Sequence, residues 1–250
     1  YNNNRCVVIG NGPSFETDFS LNQKILNNSN TILFALNDFC TSDYYDLVKP
    51  RYYTIVDPVY FGKIKNEAQE FTNVRNNFFD CLNKKTDWNL TLFIPLDYDV
   101  SKYINNNKIQ IVKFNRLTTD LKLNSFFFKR NIIHPSGSNV LISAIYLSLQ
   151  LRFSEVYIVG ADHSWTKDLR VNFNNDVCIK HKNFYAKKST LKSWINPESN
   201  VSFEMHEILL LLYSMFKGHQ QLNEYAKSIN SKIYNLTQKS FIDAYDKKVF

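Results

Sequence analysis

The chain has 250 residues, of which 44% are hydrophobic and 21% charged, and its formal net charge is +7. This composition excludes a disordered chain, because it provides enough apolar surface to bury a core. The excess of Lys and Arg favours anionic ligands or an anionic membrane face over cationic partners, but the lysines are scattered without any recognition-helix, RNP or zinc-finger pattern, so no nucleic-acid partner is expected.

The first predicted strand covers residues 5–10 and runs into the turn Gly-Asn-Gly-Pro-Ser at residues 10–14. A short apolar strand that stops at a glycine-flanked turn is typical of a Rossmann-like sheet, in which backbone N–H groups approach a nucleotide phosphate. The dinucleotide fingerprint is incomplete, because Phe15 stands where its third glycine would be, so NAD is not indicated. An ordinary strand-to-helix turn is the alternative interpretation.

Six further β-rich runs alternate with helix-length amphipathic segments, which is the pattern of a doubly wound parallel sheet. The runs cover residues 31–37, 52–57, 91–95, 108–113, 155–160 and 232–235. The spacing of apolar residues predicts a buried helix over 140–151 and a second helix over 203–217, which Gly218 ends or kinks before 220–229 continues.

The predicted fold class is α/β: a single Rossmann-like domain over residues 1–250, with a mostly parallel twisted sheet flanked by helices. Neither the helical nor the strand period holds between residues 165 and 200, which predicts an irregular lid or binding loop there. The chain begins without methionine, and we expect a module of a longer protein. No apolar run approaches the roughly 20 residues of a membrane span.

Polar residues follow the predicted strands at their carboxyl ends, which is where an open α/β sheet binds its ligand. A turn of Ser and Gly residues before the 140–151 helix adds hydroxyl groups and free amides at a helix N-terminus, where a phosphate finds donors. The predicted donor-binding residues are Gly10, Asn11, Gly12, Ser14, Asn37, Asp38, Asp57, Ser136, Gly137, Ser138 and Ser164.

Several short motifs occur together in chain order: Gly-Asn-Gly-Pro-Ser at 10–14, Pro-Ser-Gly at 135–137, Val-Tyr-Ile-Val-Gly-Ala-Asp at 156–162 and Leu-Asn-Glu-Tyr-Ala at 222–226. With Asn37 and the tail motif Ser-Phe-Ile-Asp at 240–243, they resemble the bacterial sialyltransferases of glycosyltransferase family 42. The chain is also similar to the wider group that contains Maf-type flagellin glycosyltransferases and 6-hydroxymethylpterin diphosphokinase-like domains.

The resemblance implies an inverting, metal-independent glycosyltransferase that moves sialic acid, or another CMP-linked keto-sugar acid, from a CMP donor. It implies that Asn11 meets the donor phosphate or ribose, Asn37 the cytidine, and Ser136 with Gly137 the leaving phosphate. Asp57 stands where the sialyltransferases have an asparagine, so this carboxylate contacts hydroxyl groups, is protonated or holds a cation. The phosphate-stabilising tyrosines of that family have no clear counterparts, because Ser164 and Trp165 follow Asp162 and His163.

The transfer needs a general base for the acceptor hydroxyl, and histidine suits that role near neutral pH. His206, in the first turn of the 203–217 helix, is the first choice, although it equally suits a capping pair with Glu207. His163 is the second choice, with Asp162 beside it to orient the ring. His219 is expected at a helix end, and Asp243 as a cap of the last helix.

The predicted cofactor set is empty, with no metal, because Cys6, Cys40, Cys81 and Cys178 have no zinc-site spacing. The expected partners are a nucleotide-sugar donor and a glycan or glycolipid acceptor of lipopolysaccharide, capsule or flagellin. We also expect peripheral membrane contact, and a homo-oligomer or a partner domain. The expected location is the cytoplasm, including the inner face of the cytoplasmic membrane.

Two alternative functions stay open at the level of sequence. One is a Mg²⁺-dependent diphosphokinase of the pterin type, with Asp38, Asp57 and Asp162 as metal ligands. The other is a non-catalytic nucleotide-sugar-binding module of a polysaccharide assembly protein.

Overall fold

The computed structural model of the chain describes residues 4–64, 67, 69–118, 124–137, 139–180, 184, 191–196 and 201–250. The strands are β1 (Arg5–Ile9), β2 (Thr31–Leu36), β3 (Tyr52–Thr54), β4 (Leu90–Pro95), β5 (Ile109–Phe114), β6 (Glu155–Val159), β7 (Arg170–Val171), β8 (Val177–Lys180), β9 (Leu191–Ser193), β10 (Ile195–Asn196), β11 (Val201–Ser202), β12 (Lys232–Asn235) and β13 (Asp246–Lys247). The helices are α1 (Phe15–Leu21), α2 (Gln23–Leu26), α3 (Tyr45–Val48), α4 (Gln69–Lys85), α5 (Asn124–Lys129), α6 (Val140–Gln150) and α7 (Met205–Ser228).

Eight of the strands in the described chain form one sheet in the order β13-β12-β6-β1-β2-β3-β4-β5, and every neighbouring pair is parallel. The chain moves outward from β1 to β5, then crosses back to β6 on the other side of β1. This reversal at β1 confirms the predicted doubly wound α/β fold, in which the carboxyl ends on either side of the first strand border the binding crevice.

Both faces of the sheet are covered by helices, and β1 shows how the sequence achieves this. Cys6 and Val8 face the core formed with α5, α6 and α7, whereas Val7 and Ile9 face the core formed with α1 to α4. Because neighbouring side chains of a strand point to opposite faces, a strand buried on both sides must be a continuous apolar run. The predicted strands were recognisable for that reason, and all seven are confirmed to within a few residues.

Gly218 does not end or kink a helix, which corrects the prediction from sequence. Helix α7 continues without interruption from Met205 to Ser228, and Gly218 lies in its middle. A Cβ atom at this position would lie 2.1 Å from the carbonyl oxygen of Ser136 and 2.6 Å from Cδ1 of Ile142. The glycine therefore allows the loop before α6 to touch the backbone of α7.

The segment from 165 to 200 has more regular structure in its described part than the sequence pattern indicated. It begins with a 3₁₀ turn over Trp165–Asp168, after which β7, β8 and β9 form an antiparallel sheet. Strand β10 of this segment pairs with β11 just beyond it. These strands are too short for a period to be visible in the sequence.

The contact at Gly218 gives a test in which helix propensity and packing act in opposite directions. Alanine favours a helix interior over glycine by about 1 kcal/mol, but the new Cβ would overlap the Ser136 carbonyl group. We expect Gly218→Ala to lower the free energy of unfolding by about 2 kcal/mol or more in urea titrations. The exposed Glu224→Ala on the same helix is the control, with a change within about 0.5 kcal/mol. A stabilised Gly218→Ala variant would contradict the contact.

Candidate functional site

The loops after β1, β2, β3, β5 and β6 meet at the carboxyl edge of the sheet. Helices α6 and α7 precede parallel strands, so each runs against the strand direction; α6 begins at this edge, and the middle of α7 passes it, where Gly218 packs on Ser136. The edge therefore collects most of the residues that the sequence singled out, from loops that are far apart in the chain.

The glycines of the first turn hold the loops after β1 and β6 in close contact. The N–H groups of Gly10 and Gly12 donate to the carbonyl groups of Val159 and Gly160, each at 2.8 Å. A Cβ atom on Gly10 would lie 2.4 Å from the Gly160 oxygen, and one on Gly12 would lie 2.1 Å from Oδ2 of Asp162. These two amides are thus occupied within the protein, and the glycines act through close packing of the two loops.

Ser14 links two carboxyl groups at this junction. Its Oγ lies 2.8 Å from Oδ2 of Asp162 and 2.8 Å from Oδ2 of Asp18, and its N–H donates to Asp162 at 3.2 Å. Asp18 is 1% exposed, and burial raises its pKa, with a further increase from the charge of Asp162. The Asp18 carboxyl group also accepts the N–H groups of Gly160 at 3.2 Å and Gln238 at 3.4 Å, and these bonds partly oppose the rise in its pKa.

Two asparagine side chains at the ends of neighbouring strands have amide oxygens without a partner. Asn11 follows β1 and donates its Nδ2 to the Leu36 carbonyl group at 3.1 Å, whereas Asn37 follows β2 in the left-handed conformation with φ 47°. Oδ1 of each is buried and accepts no hydrogen bond from the described residues. A buried acceptor without a donor is costly, so these two oxygens point to a ligand that brings donors.

Acidic side chains continue the edge after β2 and β3. Tyr60 donates its hydroxyl group to Oδ1 of Asp38 at 2.8 Å, and the N–H of Val59 donates to Asp57 at 3.1 Å. Burial raises the pKa of Asp38 and of Asp57. The Asp57 side chain is nonetheless exposed to solvent, at the edge where this fold class forms its binding crevice.

Arg116 brings positive charge to the same cleft from the loop after β5. The positive charge of Arg116 partly opposes the rise in the pKa of Asp57 that burial causes, and it contributes to the lowered pKa of His134. Burial lowers the pKa of Arg116 itself. The guanidinium group also lies 3.4 Å from the Val56 carbonyl oxygen. Arg116 offsets the negative charge of Asp57, so the cleft carries groups of both signs.

The loop before α6 is held against α7 by its backbone. The N–H of Ser136 donates to Oε1 of Gln221 at 2.7 Å, and Gly137 has φ 90° with its Cα packed on Met215. Asn139 caps α6 by accepting a hydrogen bond from the N–H of Leu141 at 2.8 Å. Ser138 lies outside the described residues. The Ser136 amide is therefore occupied, and its half-buried side chain is what this residue presents at the edge.

Burial keeps His134 neutral beside this loop. It lowers the pKa of the ring to about 3, and Nδ1 lies 2.8 Å from the Pro135 carbonyl oxygen. His134 is therefore a shaping residue of the loop and carries no positive charge at neutral pH.

Asp162 and His163 are neighbours in sequence, but their side chains point in different directions. The Asp162 carboxylate contacts Ser14, whereas Nε2 of His163 lies 3.0 Å from Nε2 of His219. Nδ1 of His219 lies 2.8 Å from the hydroxyl group of Tyr245. The described contacts thus pair His163 with a second imidazole, and Asp162 does not orient it. Ser164 is half-buried, and its carbonyl group accepts the N–H of Lys167 at 3.0 Å.

His219 is fully buried in the middle of α7, which corrects its expected place at a helix end. Asp243 does not cap a helix either: it lies in the loop between β12 and β13, 3.4 Å from Nε2 of Gln220. The helical spacing of Leu212, Met215, His219 and Leu222 is the sequence signal that His219 lies on the buried face of this helix.

His206 lies at the exposed start of α7, away from the other predicted residues. Its side chain is 76% exposed, and Nδ1 is 3.2 Å from Oε2 of Glu204, which forms a capping box with Glu207. At about 1.5 Å per residue, His206 is about 20 Å from His219 along the helix axis. His206 is therefore remote from His163, the second predicted base, which contacts His219.

Sequence reasoning missed Asp18, Arg116 and Tyr245. Asp18 had a signal, because it lies on the apolar face of α1 between Phe15 and Phe19, where an acidic residue is unusual. Nothing in the local sequence around Arg116 or Tyr245 marks either residue.

Among the described residues, no group of three or more His, Cys, Asp or Glu side chains is arranged to hold a metal ion. Asp38, Asp57 and Asp162 accordingly do not form a three-carboxylate cluster. None of the described helices combines the length and apolarity needed to span a membrane.

Solved structures with a similar fold are known. The chain superposes on the Maf glycosyltransferase from Magnetospirillum magneticum AMB-1 with a TM-score of 0.56 and 12% identity, over 98% of this chain and 33% of that one. It is similar to the Campylobacter jejuni sialyltransferase CstII in complex with the substrate analogue CMP-3FNeuAc, with a TM-score of 0.49, 14% identity, and coverage of 98% and 86%. No family model and no curated protein sequence matches. The chain spans about one third of the Maf structure, and that likeness confirms the predicted fold.

The raised pKa of Asp18 predicts a pH-dependent difference in stability. The folded protein holds this proton more tightly than the unfolded chain, so Asp18 contributes most to stability below its ordinary pKa and loses that contribution as pH rises through its folded pKa. We expect wild type to lose stability relative to Asp18→Asn as the pH rises above about 4, by about 1.4 kcal/mol per unit of pKa difference. Urea titrations of both proteins over a series of pH values measure the difference. A pH-independent difference would contradict the raised pKa of the buried Asp18.

Proposed function

We propose that the chain is a glycosyltransferase that moves a sugar from a CMP donor to a glycan or glycolipid acceptor by inversion and without a metal. The sugar is sialic acid or another CMP-linked keto-sugar acid. The observation that carries the proposal is the pair of buried amide oxygens of Asn11 and Asn37, unpartnered at neighbouring strand ends. The fold shared with a glycosyltransferase is consistent with it.

A nucleoside supplies the donors that this cleft lacks. Asn11, Asn37 and Asp38 offer oxygen acceptors in a row along the carboxyl ends of β1 and β2. Ribose brings hydroxyl groups, and cytosine brings an exocyclic amino group that uracil lacks. The acceptor-rich row therefore favours CMP over UMP.

The donor phosphate belongs on the side of the cleft where positive charge and hydroxyl groups lie. Arg116 acts electrostatically on Asp57 and on His134, and so lies between the β3 end and the loop that carries Ser136. Its charge offsets Asp57, which removes the repulsion that a lone carboxylate would exert on an anionic donor. Ser136 adds a hydroxyl group beside the leaving phosphate.

The chemistry needs charge stabilisation at the phosphate and a proton acceptor at the other substrate. The bond between the anomeric carbon and the phosphate oxygen breaks, and its electron pair leaves with CMP. The acceptor oxygen forms the new bond to that carbon while its proton passes to a base. His206 is the proposed base, and this role requires the acceptor hydroxyl to lie beside the exposed start of α7, about 20 Å along the helix axis from His219.

Nucleotide binding tests the role of the two unpartnered amide oxygens, those of Asn11 and Asn37. We expect CMP to raise the melting temperature without Mg²⁺ and to bind more tightly than UMP. Asn37→Ala removes one acceptor and is expected to weaken CMP binding about 5- to 30-fold in calorimetry, equivalent to about 1 to 2 kcal/mol.

The matched control is Asn230→Ala, because Asn230 also has a positive φ, 58°, but lies exposed at the opposite edge of the sheet. Equal loss of CMP affinity in both variants would refute the role of Asn37. A melting shift with ATP that requires Mg²⁺, and none with CMP, would instead support the diphosphokinase.

Turnover tests the base. With a CMP-linked sialic acid and a glycan acceptor, His206→Ala is expected to lower turnover by roughly 10² to 10⁴ while CMP affinity stays unchanged. Glu224→Gln serves as the control, since it changes an exposed carboxylate on the same helix without touching the imidazole. Full activity of His206→Ala would remove the base role from His206, and binding without turnover in wild type would favour the non-catalytic module.

A further inference from the structure

A buried row of three polar side chains, His163, His219 and Tyr245, extends from the carboxyl edge of the sheet. They come from three separate parts of the chain: the end of β6, the middle of α7 and the C-terminal segment. The Nε2 atoms of the two histidines are 3.0 Å apart, and Nδ1 of His219 is 2.8 Å from the Tyr245 hydroxyl group. His219 is fully buried and His163 is 7% exposed.

The row is electrically neutral. Burial lowers the pKa of His163 to about 3 and the pKa of His219 well below its ordinary value. Burial also raises the pKa of Tyr245 well above its ordinary value, so its hydroxyl group keeps its proton. Each of the three side chains therefore carries one titratable proton at neutral pH.

The hydrogen bonds then fix where each proton lies. The Tyr245 hydroxyl group has no other acceptor among the described residues, so it donates to Nδ1 of His219. His219 must hold its proton on Nε2, which donates to Nε2 of His163. His163 in turn must hold its proton on Nδ1, because Nε2 is an acceptor. The opposite direction would leave the tyrosine proton without a partner in the described part of the chain.

The backbone of His163 is also unusual. It has φ 51°, a left-handed conformation that is unfavourable for a residue with a Cβ atom. The ring lies 4.9 Å from the ring of Trp165 and 5.0 Å from that of His219, between centroids. Such strain persists only where the surroundings determine the conformation, and it concentrates at functional sites.

We infer that His163 is a fixed hydrogen-bond donor, through Nδ1–H, to a phosphate oxygen of the nucleotide, and that His219 and Tyr245 are positioning residues that set its tautomer. The inference rests on the proposed function. As the bond to the phosphate oxygen breaks, negative charge grows on the leaving phosphate, and a neutral donor already in place stabilises it without reorganisation. No proton is transferred along the row, and the electron pair leaves with CMP.

Nitrogen chemical shifts report the tautomer directly and need no turnover. In long-range ¹H–¹⁵N spectra of histidine-labelled protein, we expect His163 to be protonated on Nδ1 and neutral down to about pH 5. Addition of CMP should shift the Nδ1 resonance of His163. Tyr245→Phe should keep the fold and should change the tautomer populations of both histidines.

Kinetics extend the test to the positioning role. Tyr245→Phe is expected to lower kcat about five- to tenfold with KM unchanged. Tyr234→Phe is the matched control, since it removes a hydroxyl group from β12 without touching either histidine, and both kinetic and spectral values should stay those of wild type.

Two results would overturn the inference: a His163 proton on Nε2, or calorimetric binding of CMP with no change at His163. Failure of CMP to bind at all would overturn the proposed function and the donor role with it. The tautomers of the free protein and of Tyr245→Phe would then still decide whether Tyr245 and His219 set the state of His163.

Discussion

The contact between the loops after β1 and β6 is the constraint on which the rest of the site depends. Gly10, Gly12 and Gly160 let the two backbones meet through hydrogen bonds of 2.8 Å, with no room for a Cβ atom on either glycine of the first loop. In many doubly wound sheets, the ligand separates the loops at this reversal point. Here the two loops bond directly to each other at this point.

The polar residues of the edge fall into two groups. Inside the junction, the hydroxyl group of Ser14 lies within hydrogen-bond distance of both Asp18 and Asp162. Asn11 and Asn37 keep oxygen atoms that nothing in the described chain satisfies. A buried polar group that is hydrogen-bonded stabilises the fold, whereas one without a partner is costly, and this difference distinguishes the two groups.

The sequence predicted the strands and the edge because those depend on local patterns. A strand such as β6 is a continuous apolar run that stops at Gly160, and the polar residues that follow it must lie at the carboxyl edge. The hydrogen-bond partner of each polar group could not be predicted, because that partner lies far away in the chain. Ser14 lies 2.8 Å from a carboxylate 148 residues later, and His219 meets His163 across 56 residues. Gly218 was misread for the same reason, since the atom that requires a glycine there belongs to Ser136.

The contact between α7 and the loop before α6 also has a consequence for how this chain can evolve. Neither Gly137 nor Gly218 has room for a methyl group. The α7 backbone at Met215 fills the space beside Gly137, and the Ser136 carbonyl group fills the space beside Gly218. A side chain acquired at either position would push the helix away from the loop, and with it both His219 and Gln221. Among relatives that share this arrangement, the two glycines should therefore be lost together or not at all, together with the buried histidine that their contact holds in place.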